Sequence, residues 1–171
     1  MQKSAISVHV DRYSFIFSDF DPRPFSQRTL SEDFLREVKR FTLETKTGLL
    51  ELRFLVPEKQ RSQQIEGVIK KRLKEHFKNH ALELRKEKHE IVRNGIIVAT
   101  VGFGALAAAT FIAYSKEISL LKTALLIVLE PVGWFSFWYA LDSIFYGLKE
   151  KKSESEFNDK MSKAEIVFES Y

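Results

Sequence analysis

Apolar residues recur along this chain in three different rhythms. At the start Ile6, Val8 and Val10 alternate with Ser7 and His9, and after Asp11-Arg12 the alternation resumes with Tyr13, Phe15 and Phe17. A period of two puts such side chains on one face of a strand, so the stretch predicts a β-hairpin, though without an Asn-Gly type turn. Residues 18–27 carry two prolines and read as a loop. Thr29 and Glu32 then have capping-box spacing, in which hydroxyl and carboxylate each satisfy the other's backbone N–H. Leu30, Phe34, Leu35, Val38 and Phe41 follow at helical spacing, and residues 42–48 read as a turn. Leu50, Leu52, Phe54 and Val56 alternate with Glu51 and Arg53 as a further strand, stopped by Pro57.

The second rhythm starts at Glu58. Ile65, Ile69, Leu73, Phe77 and Ala81 stand at four-residue steps, followed by Leu84 and Ile91, which predicts a long helix over about 58–93. The third is no rhythm at all. Residues 94–115 contain no charge over 22 positions, and residues 123–148 contain only Glu130 and Asp142 among 26. Runs of that length can cross a hydrocarbon core of roughly 30 Å as helices. The short connection at 116–122 makes them a hairpin. Within the second run Pro131 disfavours the helical conformation at Glu130 and removes one N–H, so a break or kink is expected there. Residues 118–129 are then either a re-entrant half-helix or the first part of one long helix. Residues 149–163 are charged and read as helix or linker, and residues 164–171 as a last strand.

A sheet of three short strands is marginal unless something else packs against it. The last strand is therefore expected to return to the N-terminal sheet. The predicted fold is α+β: a small cytoplasmic domain (1–93, with a tail at 149–171) interrupted by a transmembrane hairpin at 94–148, with a long juxtamembrane stalk helix.

Charge supports that reading and orients it. The mean hydropathy of −0.19 averages a very polar remainder with the apolar hairpin. Net charge is +4, yet residues 70–93 alone hold nine Lys/Arg against four Glu. Arg85, Lys86, Lys88 and Arg93 lie just before the first apolar run, and Lys149, Lys151 and Lys152 just after the second, where they suit anionic lipid headgroups. The connection between the runs has only Lys116 and Lys122. Both termini are thus expected in the cytoplasm. Since the bilayer accounts for the basic run, no nucleic-acid partner is expected. The opening residues hold no apolar leader core, so the first span is expected to direct insertion. The absence of cysteine excludes disulfides, thiol nucleophiles and Cys-based metal sites.

Candidate chemistry is sparse. Glu130 leads, because a carboxylate at membrane depth is expensive and points to function, an ion path above all. An interfacial helix cap is the other reading of it. The Glu130-Pro131-Val132 triplet resembles the pore-helix entrance of mitochondrial calcium uniporters. That family has an acidic residue and a Trp where this chain has Ile127 and Leu126, so no function is carried over. Asp142 is a second ion-binding candidate, nearer the cytoplasmic end. Thr100-Val101-Gly102-Phe103-Gly104 spells a potassium-channel filter, but that chemistry needs a pore loop between two spans. Thr100, Gly104 and Ala108 instead form a small-residue stripe at four-residue spacing, suited to helix packing.

The aromatic residues that crowd the second run suit interfacial belts near its ends and helix packing at its centre. His76, His80 and Glu83 share a helix face and are candidates for zinc. Asp19 and Asp21 flank Phe20 in the proline loop as candidates for metal-assisted catalysis. No phosphate loop or Ser/His/Asp set appears, and no cofactor is expected. The expected function is a homo-oligomeric pore or ion-conducting assembly. The alternative is a membrane-anchored module that recruits a cytoplasmic protein, and a membrane enzyme comes third.

Overall fold

The computed structural model describes residues 4–44, 50–115 and 119–171. Its elements are strand β1 (Ser4–His9), helix α1 (Glu32–Glu44), strand β2 (Leu50–Val56), helix α2 (Gln63–Tyr114), helix α3 (Leu120–Lys163) and strand β3 (Glu165–Ser170). The chain divides into two compact units, Met1–Glu83 with Ser153–Tyr171, and Leu84–Lys152.

In the first unit β2 lies between β1 and β3, and both pairs are parallel. The register aligns Ile6, Leu52 and Ile166 in one row and Val8, Phe54 and Phe168 in the next. These side chains share a face because they differ by two along each strand. Val38, Ile69, Leu73, Phe77 and Met161, all without solvent exposure, join that face in one core. Phe54 stacks on Phe168 at 4.9 Å between ring centroids, and Phe34 approaches Phe54 at 5.9 Å. The other face carries Ala5, Ser7, Glu165 and the Arg53 ion pairs to Glu51 and Glu169. The mixture of helices with one three-stranded sheet fits the expected α+β class.

A parallel pair cannot be closed by a tight turn and needs a long crossover. Here the β1–β2 crossover contains α1, and the β2–β3 crossover is α2 and α3 together. The last strand does return to the sheet, as expected. The predicted N-terminal hairpin does not form. Residues Tyr13–Ile16 make a 3-10 turn, and Phe17 touches Leu30 through an isolated antiparallel bridge. The place beside β1 is taken by β2, and Tyr13 is drawn inward, where its hydroxyl donates to Glu66 Oε1 at 2.9 Å and accepts from the Ser62 N–H.

The capping box is corrected as well. α1 starts at Glu32, with Leu35 N–H donating to Ser31 O, while the Thr29 hydroxyl donates to Asp21. The long helix starts at Gln63 and not at Glu58, because Glu58–Gln60 form a 3-10 turn after Pro57. From there α2 runs unbroken into the first apolar run. The turn expected at residues 42–48 lies mainly outside the described residues, since α1 continues to Glu44.

Candidate functional site

The second unit is the apolar pair formed by the C-terminal part of α2 and most of α3. Both helices are long and apolar enough to cross a membrane, and in each only 11% of the most apolar window is buried within the chain. A core helix of a water-soluble domain would bury most of that window.

Their mutual contact rests on small residues. A Cβ placed on Gly102 would lie 2.8 Å from Ser136 Cβ and 2.9 Å from the Gly133 carbonyl oxygen. One placed on Gly95 would run into the Ile144 side chain, and one on Gly147 would lie 3.0 Å from Ile91. Ala109 and Ala140 are buried beside them, 3% and 1% exposed. The contact row is therefore Gly95, Gly102 and Ala109 on α2 against Gly133, Ala140 and Gly147 on α3, each at seven-residue steps. Absent side chains let the two backbones approach closely, which is how helices associate where hydrophobic burial gives no driving force.

The stripe expected from the sequence lies elsewhere. Thr100, Gly104 and Ala108 are exposed, and a Cβ on Gly104 meets nothing within 4 Å. A contact every fourth residue drifts around a helix, whereas a seven-residue repeat stays on one side. That repeat on both helices was the signal to be found. The filter-like string is plain α-helix, its Gly102 serving the contact and its Thr100 hydroxyl donating to Ile96 O at 2.8 Å.

Antiparallel contacts also set the level of each residue along the pair. Gly133 meets Leu106, so one turn further Glu130 stands level with Ala109. At 1.5 Å per residue that level is about 10 Å inside the end of the apolar run at Ser115. Glu130 is exposed on the pair's surface, and among the described residues its side chain has no ion pair or hydrogen-bond partner. α3 is continuous through Pro131, so the break expected there is absent and residues from Leu120 onward belong to one helix. Proline removes a single donor, that for the Ile127 carbonyl, and the rest of the ladder carries the helix through. Asp142 is exposed near the level of Gly95, at the edge of the apolar run.

At that edge a cleft of about 440 Å³ is lined by Glu87, Glu90, Asn94, Tyr139, Ser143 and Lys151, among others. Lys151 Nζ lies 2.8 Å from Glu87 Oε2. The basic residues Arg85, Lys86, Lys88, Arg93, Lys149 and Lys152 all fall within three turns of this cleft along the two helices. At the opposite end Lys122 Nζ donates to Ser115 O and Ala113 O, satisfying carbonyls that the end of α2 leaves open.

The remaining candidates sit in the first unit and do not assemble a site. His80 Nδ1 contacts Glu83 Oε2 at 2.8 Å, and His76 packs edge-on to His80 at 4.4 Å between centroids. His76 is pushed down to about 4, by burial first and then by the nearby His80 and Arg72 charges. Among the described residues no group of three or more such side chains is placed to hold a metal ion. Asp21 receives hydrogen bonds from Arg23 and from the Thr29 N–H and hydroxyl, which hold its carboxyl far below the usual range. It braces the loop, and Asp19 stands apart from it, exposed. No family model, curated protein or solved structure matches this chain.

Proposed function

We propose that the chain is a two-pass membrane protein that associates with copies of itself into a cation-conducting assembly, with Glu130 beside the path and both termini in the cytoplasm. The observation that carries this reading is Glu130: an exposed carboxylate, unpartnered among the described residues, about 10 Å inside an apolar helix pair. An acidic residue inside the hydrocarbon costs up to about 3 kcal/mol unless water, a cation or another subunit meets it. One helix pair cannot enclose water, so several copies are required. The outward row of Thr100, Gly104 and Ala108 offers a close-approach face for that association. The basic residues at the cytoplasmic edge would hold the assembly against anionic headgroups.

The test is flux through liposomes holding the purified protein. Glu130→Gln keeps size and hydrogen bonding while removing the charge. It should abolish or alter cation permeability and leave the oligomer intact. Wild-type protein that passes no ion, with a silent Gln variant, would refute conduction.

A second reading is favoured by a different observation. Phe20 stands 97% exposed at a loop tip of the first unit, which suits a membrane-anchored module that recruits another protein.

A further inference from the structure

The loop that carries Phe20 borders a cleft of about 640 Å³. Its apolar lining is Phe15, Phe17, Phe20, Leu30 and Phe34. Two of these rings are left to solvent, Phe15 at 55% and Phe20 at 97% exposed, whereas Phe17 and Leu30 are closed off at 1% and 2%. The rim is acidic. Asp19, Glu32 and Asp33 are exposed around it, and Asp33 has Arg36 at 3.7 Å. Of two nearby guanidinium groups, Arg23 is paired with Asp21, and Arg28, which keeps its charge, is turned onto the Ser18 carbonyl. Among the described residues Asp19 and Glu32 have no ion pair.

We infer that this cleft is a docking site for a basic segment of another protein, one that sets Lys or Arg beside an apolar anchor side chain. Phe15 and Phe20 take the anchor, because removing these two rings from water supplies the favourable area. The acidic rim selects the sign of the partner's charge and speeds its approach, and it disfavours acidic peptides and anionic lipid surfaces by like-charge contact. The loop is already held in shape by the Asp21 hydrogen bonds and by Ser18 N–H to Thr29 O at 2.8 Å, so little ordering cost remains at binding. This inference stands apart from conduction by the helix pair and does not depend on it.

The experiment pans a phage-displayed library of random short peptides against the full-length protein in a non-ionic detergent. Enriched sequences should place Lys or Arg next to Phe, Leu or Ile. Synthetic versions should lose affinity by about ten-fold or more on Phe20→Ala, and by a comparable factor on Asp19→Asn combined with Glu32→Gln. Binding to the wild type should weaken as salt is added. Phe20→Ala should melt with the wild type, since so exposed a ring supports no core. No enrichment over empty beads, enriched peptides without basic residues, or unchanged affinity in the variants would each overturn the inference. So would loss of self-association on Phe20→Ala, which would make the occupant a second copy of this chain.

Discussion

Adding one methyl group at Gly102 and one at Gly104 should have opposite effects on the helix pair, although the two glycines are half a turn apart on α2. At Gly102 the new Cβ would lie 2.8 Å from Ser136 Cβ, 2.9 Å from Gly133 O and 3.2 Å from Phe137 N. Two of those three atoms are backbone, so no side chain can swing aside, and the helices must separate. Overpacking of this kind costs about 1–3 kcal/mol, and the better helix propensity of Ala returns up to about 1 kcal/mol. Because backbone cannot give way as a side chain can, the upper part of that range applies, and Gly102→Ala should destabilise by about 1–2 kcal/mol net. At Gly104 nothing lies within 4 Å, so Ala should gain the propensity term alone. The assay is thermal melting of both variants in one detergent, with chemical crosslinking to read assembly separately. Gly102→Ala should melt below the wild type and Gly104→Ala at or above it. Gly104→Leu should leave the helix pair intact and weaken the oligomer, because it fills the outward row. A Gly102→Ala variant as stable as the wild type, or equal losses at both positions, would refute a backbone contact between Gly102 and Gly133.

Three further outcomes are expected. Tyr13→Phe removes the hydroxyl that bridges Glu66 and the Ser62 N–H, and should cost about 1.5 kcal/mol in chemical denaturation. Burial pushes the Glu66 carboxyl up, but hydrogen bonds from Arg61 and Tyr13 more than offset it and leave it below 4.5. A carboxyl lowered in the folded state stabilises fully above its unfolded value and loses that contribution as pH falls through the folded one. The wild type should thus lose stability below about pH 4.5, and Glu66→Gln should flatten that slope in acid melts. Since the chain has no cysteine, single cysteines report topology cleanly. Those at Ser4 and Ser153 should be shielded from an impermeant thiol reagent in intact cells, while one at Ser119 labels; the reverse pattern would invert the orientation.

Much of the architecture was legible in the chain because its signals are local and repetitive. Alternation in Leu50–Val56 and the four-residue steps from Ile65 to Ala81 each report a face that must be buried, and both form as expected. The two apolar runs and their lengths follow from composition alone. Alternation could not say which strands pair. Tyr13, Phe15 and Phe17 have the period of a strand, but β2 occupies the sheet position beside β1, and the Tyr13 hydroxyl finds its partners 49 and 53 residues away. Small residues posed the same difficulty. Thr100-Gly104-Ala108 and Gly95-Gly102-Ala109 are equally good rows on one helix, and only the facing row on α3 decides which is used within the chain. Pro131 lowers the odds of a continuous helix locally, yet one lost hydrogen bond is small beside the packing on either side of it. Most elements, the apolar lengths and the distribution of charge could be read from the chain alone, because these depend on neighbours within a few residues. The parallel pairing, the level of Glu130 against Ala109 and the cleft beneath Phe20 emerge only on folding, because each is a contact between segments that lie apart in the chain.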